Sequence, residues 1–145
     1  MRRVVMWSVL LLALVLAACG GTPADTTVGD PPQSKVIEAS GNQQIDKLVA
    51  DWKTTVPVSM KEQLVKEETI EQKVYQSDAS LEEIDAFYKK LTEHSWIVST
   101  RMPGIQNGIL LTGYDSGNTS LVIGAVDAKA LGGTGVIVYT AKGTK

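Results

Sequence analysis

Histidine, cysteine and phenylalanine occur once each among 145 residues, and basic residues are outnumbered by acidic ones, 14 against 16. Each shortage closes a class of function. A lone cysteine forbids an intramolecular disulfide, so hydrophobic burial must stabilise the domain unaided, which roughly 100 residues suffice to do. A lone histidine, His94, means that a histidine-based metal site or a Ser/His/Asp triad would have to be built around that one residue. Setting aside residues 1–18, which hold Arg2 and Arg3 but no acid, leaves a net charge of −4. That is the wrong sign for nucleic acid, where clustered Lys and Arg must neutralise phosphates. Long apolar runs are equally scarce. The chain has one, over residues 4–16, interrupted only by Ser8, and it is shorter than the roughly 20 residues that a bilayer-crossing helix needs.

What the N-terminus does have is an order of parts. Met1-Arg2-Arg3 is a short positive segment ahead of the apolar run, the layout of a secretory signal peptide. Leu16-Ala17-Ala18-Cys19 follows at once. These four residues resemble the lipobox of bacterial lipoproteins: a branched apolar residue, two small residues and the cysteine that is modified. The resemblance implies that Cys19 receives a diacylglyceryl thioether, that cleavage follows Ala18, and that Cys19 becomes the mature N-terminus. It implies a partner too, the membrane, and an extracytoplasmic location on the cell membrane or outer membrane. Two or more acyl chains, at about 0.8 kcal/mol per buried methylene, anchor stably where one would be marginal. Gly20 and Gly21 stand where an Asp would resemble an inner-membrane retention signal.

The chain then divides into a signal peptide over 1–18, a lipidated cysteine and disordered tether over 19–42, and a globular domain over 43–145. The tether is read from Pro23, Pro31 and Pro32 among Gly, Asp, Ser and Thr, with no apolar period. In the domain, Ile45, Leu48, Val49 and Trp52 share one helical face, and Pro57 predicts that this helix ends near Trp52 or Lys53. Ser80 and Glu83 form a capping box ahead of Leu81, Ile84, Phe87, Tyr88 and Leu91, which predicts a helix over about 81–93. An edge strand over 69–76 precedes it, and strands over 96–100, 109–114, 120–126 and 136–140 follow, separated by Gly, Asn and Asp turns.

That order predicts an α+β domain with a mostly antiparallel sheet of four to five strands. Ile109-Leu110-Leu111, Leu121-Val122-Ile123 and Val136-Ile137-Val138 run apolar without alternating, so both sheet faces are expected to be covered. The capped helix covers one, and the N-terminal helix or a second molecule the other. Residues 77–99 also resemble a pattern common in small secreted or membrane-anchored bacterial domains, which carries no activity with it. The pattern has Gly before the tryptophan, where this chain has Ser95.

Chemistry-bearing residues are few. His94 falls at the end of the capped helix, where it suits a terminal cap better than catalysis. Glu67, Glu68 and Glu71, and separately Glu82, Glu83 and Asp85, offer paired carboxylates for glycoside hydrolysis, but two tryptophans outside the signal peptide are little material for a sugar cleft. Solvated faces are the plainer reading. Gly132-Gly133-Thr134-Gly135 lacks the Lys-Ser/Thr of a phosphate loop and leads into a strand, so it reads as a hairpin loop. Asn118-Thr119-Ser120 matches a glycosylation acceptor by letter but falls in a predicted turn. No cofactor and no metal are implied, and Cys19, the lipid attachment site, is the only residue assigned a role. The expectation is a non-enzymatic, membrane-anchored lipoprotein whose domain binds an envelope partner or a second copy. A module for a small apolar ligand or lipid is the alternative, and an envelope hydrolase using His94 the third reading.

Overall fold

The computed structural model describes residues 25–99 and 104–145. Cys19 and the segment over 1–18 read as a signal peptide lie outside the described residues, as does the start of the stretch read as a tether, over 19–24. The first helix, α1, spans Gln43–Glu62, about 30 Å at 1.5 Å per residue. Asn42 caps it by accepting from the backbone N–H groups of Gln44 and Ile45, at 3.0 and 3.3 Å. Ile45, Val49, Trp52, Val56 and Met60 form its buried stripe.

The helix runs nine or ten residues past the end predicted at Lys53 or Trp52, and Pro57 lies inside it. Pro57 removes one backbone hydrogen bond and crowds the Lys53 carbonyl, a cost of about 3 kcal/mol. Continuing the helix buries Val56 and Met60, worth about 1.5–3 kcal/mol each, so tertiary packing outweighs the local signal. The helix ends with the N–H of Val65 donating to the Met60 carbonyl at 3.1 Å and that of Leu64 to Lys61 at 2.9 Å. This is a Schellman motif, with Leu64 at φ 69° where glycine is favoured.

Six antiparallel strands form one sheet in the order β1-β2-β6-β5-β4-β3. They are β1 Ser34–Val36, β2 Glu71–Ser77, β3 Ile97–Ser99, β4 Ile109–Ser116, β5 Thr119–Asp127 and β6 Val136–Thr144. The architecture is α+β as predicted. The additional strand, β1, comes from the stretch read as a disordered tether, which is part of the folded domain from residue 25 onward. The reason is tertiary: Val28 and Ile37 pack against the core, and Ser77 Oγ donates to the Pro32 carbonyl at 2.6 Å. In consequence β2 is not the sheet edge, because β1 lies outside it.

The second helix, α2, spans Leu81–Lys89. Its capping box is complete: the Glu83 N–H donates to Ser80 Oγ at 3.2 Å and the Ser80 N–H to Glu83 Oε2 at 2.7 Å. The remainder of the predicted helix tightens into a 3-10 turn over Lys90–His94, and Ser95 reverses the chain at φ 69°. Ser95 thus occupies the left-handed position at which the resembled pattern has glycine.

The two faces are closed from within the chain. Leu81, Ile84 and Tyr88 of α2 pack on Tyr75, Leu110, Tyr114, Leu121, Ile123 and Val138. On the opposite face, α1 packs its stripe on Val74, Val126, Ile137, Tyr139 and Ala141. No second molecule is needed to cover it. The Trp52 indole lies against Gly124 so closely that a Cβ there would meet ring atoms at 2.9–3.1 Å. That contact explains a glycine in the middle of a central strand.

Two outcomes are expected in urea unfolding. Trp52→Ala loses about 3–5 kcal/mol of stability. Leu64→Gly and Ser95→Gly, which relieve exposed left-handed residues, each gain about 0.5–1 kcal/mol.

Candidate functional site

The structure does not bring the sequence-predicted residues together. His94 is exposed at the end of its 3-10 turn. Glu83 is committed to the capping box, Asp85 pairs with Lys89 at 2.6 Å, and Glu67 pairs with Lys61 at 2.7 Å. The Gly132 to Gly135 loop closes a short 3-10 turn, Ala128–Leu131, in which Gly132 caps the end at φ 77°. Gly135, at φ 71°, comes so close to the Ser77 carbonyl that a Cβ there would lie 2.5 Å away. These glycines serve chain reversal and close packing. Asn118 sits in the two-residue turn joining β4 to β5, and no group of three His, Cys, Asp or Glu that could hold a metal occurs among the described residues.

A different site emerges on the α2 face. Glu71, Lys73 and Tyr75 alternate along β2 and so share one side of the sheet, beside Thr140 and Lys142 of β6. The nine residues of α2 are too few to cover this end of the face, and residues 25–30 lie over it as a strap. Beneath the strap is a cleft of about 60 Å³, lined by Val28, Asp30, Lys73, Tyr75, Tyr88 and Lys142 among others. At roughly 10–15 Å³ per water, it has room for several waters or a small polar group.

The strap is held at two polar points. Tyr75 Oη donates to Asp30 Oδ1 at 2.7 Å, and Lys142 Nζ donates to the Thr26 carbonyl at 2.8 Å. Between them the partly buried Val28 packs against the α2-side core. At the cleft wall stands Tyr88, which has no exposed surface, and whose hydroxyl has no hydrogen-bond partner among the described residues. Trp96 Nε1 and Ser116 Oγ are also unpartnered, but neither lines the cleft. A buried polar atom left so costs about 1–3 kcal/mol.

Burial raises the phenol pKa of Tyr75 and Tyr88 above the ordinary value of 10.0, and the Asp30 carboxylate pushes both further in the same direction. Neither hydroxyl is poised to lose a proton near neutral pH, as a general base or nucleophile must. The arrangement therefore suits recognition: hydroxyl and ammonium donors face a slot that also admits an apolar side chain. Sequence reasoning missed these residues. No local signal marks them, since Glu71-Gln72-Lys73 is a continuous exposed polar run and Tyr75 and Tyr88 read as ordinary core residues.

Comparison with protein-family models, with curated proteins and with solved structures yields no match to the chain. No described helix is long and apolar enough to cross a membrane.

All four tyrosines, Tyr75, Tyr88, Tyr114 and Tyr139, are buried with raised pKa values. Above pH 10 the unfolded chain releases phenolic protons that the folded chain retains, so stability falls as pH rises. Absorbance at 295 nm is expected to show no phenolate until the protein unfolds, and then all four tyrosines titrating together.

Proposed function

We propose that the protein is a bacterial lipoprotein, anchored to the envelope through Cys19, whose domain is a non-catalytic binding module that engages its partner at the strapped cleft. The observation that carries this reading is the wholly buried, unpartnered Tyr88 hydroxyl at the wall of a cleft that also presents Lys73, Tyr75 and Lys142. Lys73 is exposed, and Tyr75 and Lys142 have partners in the strap, whereas a buried hydroxyl such as that of Tyr88 costs stability unless it is satisfied. An external ligand supplying an acceptor accounts for its retention.

The alternative readings have less support. A groove floored by Val49, Val74 and Ile137, between α1 and the β2 side of the sheet, measures about 220 Å³. Glu38, Ser40, Asp46 and Lys53 also line it, so an apolar ligand fits less well there. An envelope hydrolase is supported least, since His94 is exposed and Glu67, Glu83 and Asp85 are engaged in an ion pair, a cap and an ion pair.

Two measurements test the reading. Cys19→Ser is expected to abolish incorporation of labelled palmitate and to release the protein from the membrane fraction; retained label overturns the anchor. A photo-crosslinking residue replacing Lys73 is expected to trap one reproducible envelope protein in cells, while the same residue replacing Lys47, exposed on α1, traps none. Equal trapping from both positions overturns the cleft as the binding site.

A further inference from the structure

Residues 25–30 are attached to the domain in a manner unlike the segment that follows them. No backbone-to-backbone hydrogen bond joins them to any other described residue. By contrast, Ser34–Val36 pairs in register with β2, and flanking bonds run from the Ile37 N–H to the Val74 carbonyl and from the Asp78 N–H to the Gln33 carbonyl. The strap is kept in place by the Tyr75 and Lys142 hydrogen bonds and by one partly buried valine. Asp25, Thr27, Gly29 and Asp30 are all exposed. Few buried apolar contacts and a backbone open to solvent mark the low-stability end of a structure, the part that opens locally while the rest stays folded.

The strap also shows what the cleft receives. From Thr26 to Asp30 the chain can span at most about 13 Å; it offers a backbone carbonyl to an ammonium, an apolar side chain to the core and a carboxylate to a phenol. Lys73 lines the cleft, and the ionised form of Asp25 is favoured chiefly by the Thr27 N–H that donates to it at 2.9 Å, with His94 and Lys142 nearby adding to it. One feature does not match. Nothing in the strap meets the Tyr88 hydroxyl, so the cleft holds this segment with a donor unsatisfied.

The geometry points to residues 25–30 being a displaceable internal ligand, and to an extended acidic peptide segment of a partner protein, with an apolar residue two positions before an acid, taking their place in the cleft. This rests on the cleft being the binding site. The incoming segment outcompetes the strap by supplying the acceptor that Tyr88 lacks. A cleft covered about nine-tenths of the time lowers apparent affinity about tenfold, which keeps the site closed to weak partners. On the lipoprotein reading, a docked strap leaves at most about 20 Å of chain between Cys19 and Asp25, and a released one about 40 Å up to the buried Pro31. Occupying the cleft therefore also frees the domain to move away from the membrane surface.

The test uses the full-length chain in detergent micelles and a fluorescein-labelled peptide with the sequence of residues 25–34, followed by anisotropy. A Val28→Ser/Asp30→Asn variant, whose own strap is weakened, is expected to bind the peptide about tenfold more tightly than the unaltered chain, and adding Tyr75→Phe is expected to remove that gain. Equal binding by both, or binding by neither, overturns the proposal and makes the strap a permanent part of the fold. Should the double variant fail to fold, the unaltered chain labelled with 3-fluorotyrosine decides. Fluorine resonances of Tyr75 and Tyr88 that move on peptide addition while those of Tyr114 and Tyr139 do not support displacement, and four unmoved resonances overturn it. A partner trapped from position 73 together with a negative peptide result leaves the cleft as the binding site and rejects the strap as its internal ligand.

Discussion

Apolar side chains on both faces of the central strands are the constraint from which the remainder of this domain follows. In β5, Leu121 and Ile123 face α2 while Val122 and Val126 face α1, so neither side of the sheet can be left to water. Two covers are required, and they differ in length. At 1.5 Å per residue, the 20 residues of α1 run about 30 Å along one face, whereas the nine residues of α2 reach only about 13 Å along the other. The shortfall is made good by residues 25–30. The strap and the cleft beneath it are thus consequences of one short helix.

The close seat of α1 on the sheet shows how tightly the longer cover fits. Trp52 lies flat enough on Gly124 that any side chain there would collide with it, and the indole also approaches Tyr139, ring centres 6.2 Å apart. A glycine in a central strand weakens the strand itself, and the burial of a large aromatic offsets that loss. The sheet's outer strands are managed differently. β1 and β3 have three residues each, and β1 carries Lys35 at its centre, both devices that discourage unwanted pairing at an edge.

The covered α2 face departs from its own logic at one end. Glu71, Lys73, Thr140 and Lys142 are polar positions on a face that is otherwise closed by apolar packing. Glu71 and Lys73 are exposed and Thr140 and Lys142 half-buried, so the group that breaks the rule is the wholly buried Tyr88 hydroxyl, which has no partner among the described residues. Sites that break a local rule without a structural gain are where function is expected. The tyrosines at the cleft reinforce the point, since burial and the Asp30 carboxylate keep their hydroxyls protonated and available as donors.

Local chemistry was enough to determine α2 from Ser80 to Lys89, because a capping box and an apolar face act within a few residues of each other. The same holds for the hairpin strands β4 to β6, whose apolar runs and glycine turns placed them within a few residues of where they lie. The α+β class and the need for two covers followed from those elements. Contacts distant in sequence decided the rest. Pro57 marks a helix end locally, yet Val56 and Met60 gain a sheet to pack on and carry α1 to Glu62. Residues 25–42 have the composition of a tether, yet Tyr75 and Ser77, more than 40 residues away, hold them down. The cleft was illegible for the same reason. Asp30, Tyr75, Tyr88 and Lys142 have nothing in common along the chain, and only the antiparallel pairing of β2 with β6, the position of α2 and the path of the strap bring them to one place.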